Sequence, residues 1–313
     1  MSRTGIPFGV LLMTYGSPSS LDDVPRYIKA VRGGRDVPDD VVAEFRQRYE
    51  LIGGSPLIEI TLAQAAALEE RLGGRALVRA GMRFSAPSIS EALWELADAG
   101  IREVVGIVMS PQYSPLLMGG YARAVDEARG QLGTRSPAVR LAGAWYSQPA
   151  FLEALAARIA DGLQRFEPEG RDSVPVLLTA HSLPRRVAGQ EPTYLAQLEE
   201  TATLVAEAAG MARERWTFCW QSAGHEPGEW MKPDFADLMP ALAAAGHRSV
   251  LVAPVQFLAD HLEILYDVDV GAREQAEVAG LRFARIESLN VEPRFVESLA
   301  AVALQSGLSL APR

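Results

Sequence analysis

Two short stretches of this 313-residue chain combine residue types that move protons or hold a cation. In the first, the apolar run VLLTA leads straight into His181, followed by Ser182, Leu183 and Pro184. That order places an imidazole at the carboxyl end of a buried strand, where its neutral form can accept a proton or bind a metal. The second stretch is FLADHLEILYDVD, residues 257–269. A helix starting near Asp260 would stack Glu263 and Asp267 one turn apart on one face. Two carboxylates so placed repel unless they face water, a cation or protons in transit. Phe257, Leu258, Leu262, Ile264 and Leu265 surround Glu263 with apolar side chains, which hinders full solvation and favours a carboxylate aimed into a cleft. Taken singly, each stretch also has an ordinary reading: a hydrogen-bonded structural histidine, and a solvated acidic helix face.

Several other chemistries fall away. His261 and Glu263 are two apart and would not share a helical face, and no HExxH pattern supports a zinc protease. There is no GxGxxG after a strand and no GxxxxGK[ST], the usual signatures of dinucleotide and nucleoside triphosphate sites. Cys219, the one cysteine, lies in WTFCW and reads as a small core residue. A single cysteine excludes an intramolecular disulfide and an iron–sulfur cluster held by four cysteines of one chain, and it suits a reducing compartment. Near the start, Tyr15 precedes Gly16, Ser17 and Pro18, Arg32, Arg35, Arg48 and Tyr49 follow on helical segments, and Ser55 sits in the turn IGGSPL. Arginine forks and hydroxyls beside an apolar cleft suit a flat ligand that carries carboxylates, although surface arginines are common.

These residues need a scaffold, and the alternation of aliphatic runs with helical periods supplies one. Strands are expected near residues 7–14, 75–81, 103–109, 138–143, 174–180, 214–220, 248–253 and 281–287. Ala- and Leu-rich segments between them fit helices covering a sheet. Gly100 and Gly246 each stand between a helix and a strand, where a left-handed glycine closes the helix. Dividing the strands near residue 145 gives two doubly wound α/β halves, with a ligand expected at the carboxyl ends of the strands. Hydrophobic residues make up 48% of the chain, enough for a substantial core. A net charge of −9 with both signs interspersed argues against a nucleic-acid partner. The opening residues hold an apolar run too short for a spanning helix, so neither export signal nor membrane span is expected and the cytoplasm is the expected compartment.

The motifs YGSP (15–18), RYELIGGSPL (48–57), MSPQYSPLLMGGY (109–121), TAHSLP (179–184), WQSAG (220–224) and FLADHLEILYD (257–267) resemble the ferrochelatase family in order and over nearly the whole chain. The resemblance implies two Rossmann-like lobes, each a four-stranded parallel sheet flanked by helices, with a porphyrin between them. Residues 1–144 would form the first lobe, carrying the porphyrin contacts. Residues 145–313 would form the second, with the last helix, about 292–306, packing on the first. His181 and Glu263 correspond to the family's active-site histidine and glutamate and would handle the Fe2+ substrate, with Asp267 as a relay. Tyr15, Arg32, Arg48, Tyr49, Ser55 and Tyr121 would contact the porphyrin, several through its propionates.

Tyr15, where protoporphyrin enzymes usually carry methionine, is similar to the coproporphyrin III branch and would stand axial to the product iron. On this resemblance no cysteine-bearing extension of the kind found in animal enzymes is expected. Gly33 replaces a second arginine, leaving Arg35 as a substitute, and Gly271 interrupts the acidic row after Asp267. The implied activity is insertion of Fe2+ into coproporphyrin III with release of two protons, by a monomer with no permanently bound cofactor. Lobe closure would bend the ring, and the product would pass to the downstream haem-pathway enzyme by transient contact. Protoporphyrin IX as substrate, cobalt insertion into sirohydrochlorin, and a noncatalytic haem carrier remain the alternatives.

Overall fold

The computed structural model describes residues 8–224 and 228–308; Pro7, expected to open the first strand, lies outside them. Along the chain come β1 (Phe8–Thr14), α1 (Val24–Val31), α2 (Asp39–Leu51), α3 (Leu57–Leu72), β2 (Ala76–Met82), α4 (Ile89–Asp98), β3 (Glu103–Val108), α5 (Pro115–Leu132) and β4 (Ala138–Leu141). The second half continues with α6 (Pro149–Leu163), β5 (Val176–His181), α7 (Arg185–Ala188), α8 (Pro192–Ala208), β6 (Trp216–Gln221), α9 (Phe235–Ala244) and β7 (Ser249–Pro254). It closes with α10 (Leu262–Leu265), α11 (Arg273–Val278), β8 (Arg282–Arg285) and α12 (Pro293–Leu308). All eight expected strands are present.

The strands form two four-stranded sheets with one repeated order, β2-β1-β3-β4 and β6-β5-β7-β8, and every neighbouring pair is parallel. A parallel sheet needs helices on both faces, so its inner strands are apolar throughout. Phe8–Thr14 is buried at every position. β4 and β8 are edges, partly exposed and carrying Arg140, Arg282 and Arg285, charges that discourage pairing with another chain. Gly100 and Gly246 do take positive φ, 83° and 91°.

The chain divides into two compact units that exchange segments. The first comprises residues up to Pro111, Pro115–Trp145 and the chain from Asn290 onward; the second is Gln112–Ser114 with Tyr146–Leu289. The second unit therefore stops at Leu289, and α12 packs in the first against α3 and β3. Phe295, Leu299 and Ala303 of α12 are fully buried, Gln64 donates from Nε2 to the Asn290 carbonyl at 2.7 Å, and Arg71 pairs with Glu297. The second core gathers Leu177, Cys219, Met239, Val250, Ile264 and Val268.

One expected element differs. The helix starts at Leu262, two residues after Asp260, but it is not regular. His261 is extended (φ −160°, ψ −177°), one α-helical turn follows at α10, and residues Asp267–Ala272 form a π-helical turn. The Tyr266 carbonyl accepts from Val270 N–H at 3.1 Å and from Gly271 N–H at 2.9 Å, which inserts one residue into the helical register. Glu263 therefore lies in the α-helical turn and Asp267 opens the π-helical one. No helix among the described residues is long and apolar enough to cross a membrane.

Gly81 marks the tightest contact between β2 and α4. A Cβ there would lie 2.7 Å from the Ile89 Cα and 3.0 Å from its nitrogen. Those main-chain atoms are held by a capping box, with Ser88 N–H donating to Glu91 Oε2 at 2.6 Å and Glu91 N–H to Ser88 Oγ at 3.1 Å. Gly81→Ala should lower stability by about 1–3 kcal/mol in urea unfolding; an unchanged midpoint would show that α4 moves away at no cost.

Candidate active site

In the second unit the chemistry collects at the carboxyl ends of β6, β5 and β7. His181 is the last residue of β5, paired with Gln221 of β6. Its main-chain N–H donates to Gln256 Oε1 at 2.7 Å, and Gln256 Nε2 donates to the Tyr194 hydroxyl at 2.5 Å. The imidazole Nδ1 lies 2.5 Å from the Ser182 carbonyl oxygen. A carbonyl only accepts, so Nδ1 carries a proton and Nε2 is the nitrogen turned toward Glu263. That Nε2 is 3.6 Å from Glu263 Oε1. The other oxygen, Oε2, is 3.4 Å from His261 Nε2, and the His261 Nδ1 is in turn fixed on the Ala259 carbonyl at 2.9 Å. One carboxylate thus stands between two imidazoles, each with its far nitrogen tied to main chain.

Burial works against both charges, and pairing overcomes it. It pushes the His181 pKa down, but the Glu263 charge and the Ser182 carbonyl, with Asp267 adding at longer range, raise it to about 9. The same burial would raise Glu263, yet His181 first and His261 second hold its carboxyl well below the usual carboxylate range. The pairing thus favours the imidazolium form of His181 beside an ionised Glu263. Asp267 enters through its field at His181.

Local packing explains why Glu263 sits where it does. Ile264 and Val268 are fully buried against the second sheet, and Gln221 Nε2 reaches the Glu263 carbonyl at 3.5 Å. Arg285 of β8 grips Asp269 with two bonds of 2.8 Å and lies 3.3 Å from Asp260, which also accepts from Ser288 Oγ at 2.7 Å. Both flanks of the segment carrying His261, Glu263 and Asp267 are anchored to one edge strand. Ser222, just after β6, holds φ at 58°, a strained value for a residue with a Cβ.

The first unit gathers a different set of side chains. Tyr15 follows β1 and meets Phe84 at 5.3 Å and Tyr121 of α5 edge-on at 6.0 Å between ring centroids. Tyr121 is buried, and burial drives its phenol pKa up. Gly16 must be a glycine: its φ is 86° and a Cβ would come within 2.6 Å of Ser85 Oγ. Tyr49 and Ser55 meet in a cavity of about 520 Å³ lined by residues 18–21, 49–50, 53–56 and 59. Arg48 stands apart from that lining, bonded to Glu44 at 2.5 Å one turn back on α2. Arg32 follows α1, and its carbonyl accepts the Arg35 Nε at 2.9 Å. The structure therefore joins Tyr15 with Tyr121 and Tyr49 with Ser55.

Two residues escaped the sequence reading. His261 was set aside because two-residue spacing splits helical faces, but it precedes the helix in extended conformation. Arg83, in GMRF after β2, carries no motif; its place at a strand's carboxyl end was the available signal. Cys219 is buried and its thiol pKa is pushed up by that burial, so it is core, as expected.

Comparison with known proteins agrees with this geometry. The family model described as Ferrochelatase matches residues 7–306. The ferrochelatase of Deinococcus radiodurans is 38% identical over 300 residues, covering 95% of each chain. The coproporphyrin III ferrochelatase of Geobacillus kaustophilus is 37% identical over 304 residues, again covering 95% of each. Among solved structures, SirB from Bacillus subtilis with Fe3+ shares the fold at a TM-score of 0.64 and 8% identity, covering 96% of each chain. With an imidazole and a carboxylate paired on one sheet edge, two parallel sheets of one order and a match along nearly its entire length, the chain belongs to the ferrochelatase family of metal-chelating lyases.

Proposed function

We propose that this chain inserts Fe2+ into coproporphyrin III, giving the iron porphyrin and two protons, with iron as substrate and no resident cofactor. The observation that carries the reading is the Glu263 carboxylate held between the Nε2 atoms of His181 and His261. Such a group attracts a divalent cation and lies beside a base. The coproporphyrin assignment draws support from Tyr15 at the β1 exit and from the names of several relatives, coproporphyrin III ferrochelatases 33–37% identical to this chain. Four propionates also demand more donors than two, and Arg32, Arg48, Tyr49, Ser55 and Tyr121 are the candidates.

The resting protonation orders the steps. His181 begins with its proton, so a cation arriving at Glu263 competes with that proton for the same carboxylate. Its release leaves Nε2 with a lone pair. The now neutral imidazole accepts one pyrrole proton as metal enters the ring, and the negative field of Asp267 favours the imidazolium so formed. The Glu263 carboxylate accepts the second and passes it toward Asp267. Tyr15, at the exit of β1, would offer its phenol oxygen to the product iron.

Anaerobic mixing with Fe2+ and either coproporphyrin III or protoporphyrin IX, followed at the Soret band, tests the assignment. Faster insertion into coproporphyrin is expected, and equal or reversed rates would remove that substrate. His181→Ala should slow insertion by about 100-fold or more, with porphyrin affinity within about twofold; a near-normal rate would take His181 out of the reaction.

The ion pair also makes a titration test. The raised His181 pKa stabilises the fold fully below 6.5, its ordinary value, and that contribution disappears as pH rises through about 9. The lowered Glu263 pKa contributes above 4.5, its ordinary value, and is lost as pH falls through the folded value. In NMR the His181 ring should titrate near 9 in the native chain and fall to its ordinary value or below in Glu263→Gln, where burial acts unopposed. An unmoved titration in that variant would mean that Glu263 does not hold the proton.

A further inference from the structure

Arg285, the last residue of the edge strand β8, has a side chain only 13% exposed and spreads its fork over the segment that carries His261, Glu263 and Asp267. Its Nε and Nη2 donate to the two oxygens of Asp269, each at 2.8 Å, the parallel geometry that suits a guanidinium and a carboxylate. Its Nη1 lies 3.3 Å from Asp260 Oδ1 and donates to the Ile286 carbonyl at 2.9 Å. Ser288, just beyond the strand, donates from Oγ to the same Asp260 oxygen at 2.7 Å. A second strap runs beside this one: the Arg273 guanidinium lies 5.1 Å from the ring centroid of Phe283 on β8, and its Nε donates to the Asp269 carbonyl at 2.8 Å. Burial disfavours the Arg285 charge, and Asp269 and then Asp260 more than restore it.

On a regular helix the two carboxylates could not share one guanidinium. Asp260 and Asp269 are nine residues apart, which in an α-helix is about 13 Å of rise and about two and a half turns, so they would point to opposite sides. They converge because His261 is extended, at φ −160° and ψ −177°, and because Asp267–Ala272 forms a π-helical turn. Clamp and broken helix therefore require each other. The same break brings His261 Nε2 to 3.4 Å from Glu263 Oε2, although residues two apart do not face each other on a helix. We infer that Arg285 is a positioning residue of the chelatase site: by joining Asp260 to Asp269 it selects the irregular conformation in which Glu263 stands between His181 and His261. The inference rests on the iron-insertion reading above and adds to it a group that acts through others.

Steady-state insertion of Fe2+ into coproporphyrin III by the full chain, followed anaerobically at the Soret band, separates positioning from simple support of the fold. Arg285→Lys keeps the charge and loses the fork. Asp260→Ala removes one arm and leaves the paired bonds to Asp269 in place, which keeps a folded chain even where the lysine variant fails to fold. In each folded variant kcat should fall about tenfold or more while KM for the porphyrin stays within about twofold. The His181 ring should also titrate below its native value of about 9 as Glu263 draws away from it. Full kcat in either folded variant, with only a lower urea midpoint, would show that the clamp merely supports the fold and would overturn the inference, as would an unmoved His181 titration. A wild-type chain that inserts no metal while His181 still titrates near 9 would remove the function proposed above. The clamp would then still stand or fall on the titrations of the two variants.

Discussion

A carboxylate in the low-dielectric edge of a sheet is stable as an anion only while cations or donors face it, and Glu263 meets that condition with two imidazoles. Most features of the second unit serve the pairing. β5 delivers His181 at its last residue, the extended residue ahead of α10 delivers His261, and buried Ile264 and Val268, one and five residues after Glu263, fix its segment on the sheet. Main-chain carbonyls take one nitrogen of each ring, which leaves the opposite nitrogens aimed at the carboxylate. Remove the carboxylate and burial would discharge His181.

The first unit uses a contrasting physics. Around Tyr15 the groups are flat: Phe84 is tilted against it, Tyr121 meets it edge-on, and the delocalised cation of Arg83 lies within 5.3 Å of all three ring centroids. Such a surface tolerates an apolar sheet-like ligand and still offers in-plane donors at its rim. Proton handling is concentrated in the other unit, where titratable groups sit close enough to shift one another's pKa values.

Much of this was legible in the residues. Buried parallel strands are nearly continuous apolar runs, so all eight could be placed from β-branched and aliphatic stretches, and Gly100 and Gly246 marked two helix ends. His181 was found because VLLTA runs into it without a turn. What could not be read was the local break at 260–272. Apolar spacing over FLADHLEILYDVD fits a continuous helix, but tertiary bonds from Arg285 to Asp269 and Asp260, formed with a strand that lies later in the sequence, accompany the extended start and the extra π residue. Helical spacing assumes one register, and a one-residue insertion defeats it. Arg83 stayed hidden for a related reason: its partners Tyr15 and Tyr121 are 68 residues before it and 38 after it.

The exchange of segments between the units has a bearing on biosynthesis. The ribosome delivers all four strands of the first sheet before Tyr146, where the main part of the second unit begins, yet α12, which covers α3 and β3, is translated only after the second unit is complete. Until then the surface destined for Phe295, Leu299 and Ala303 stays wet and apolar, a target for chaperones and for aggregation. The first unit starts folding first and finishes last, so its maturation waits on the synthesis of its neighbour.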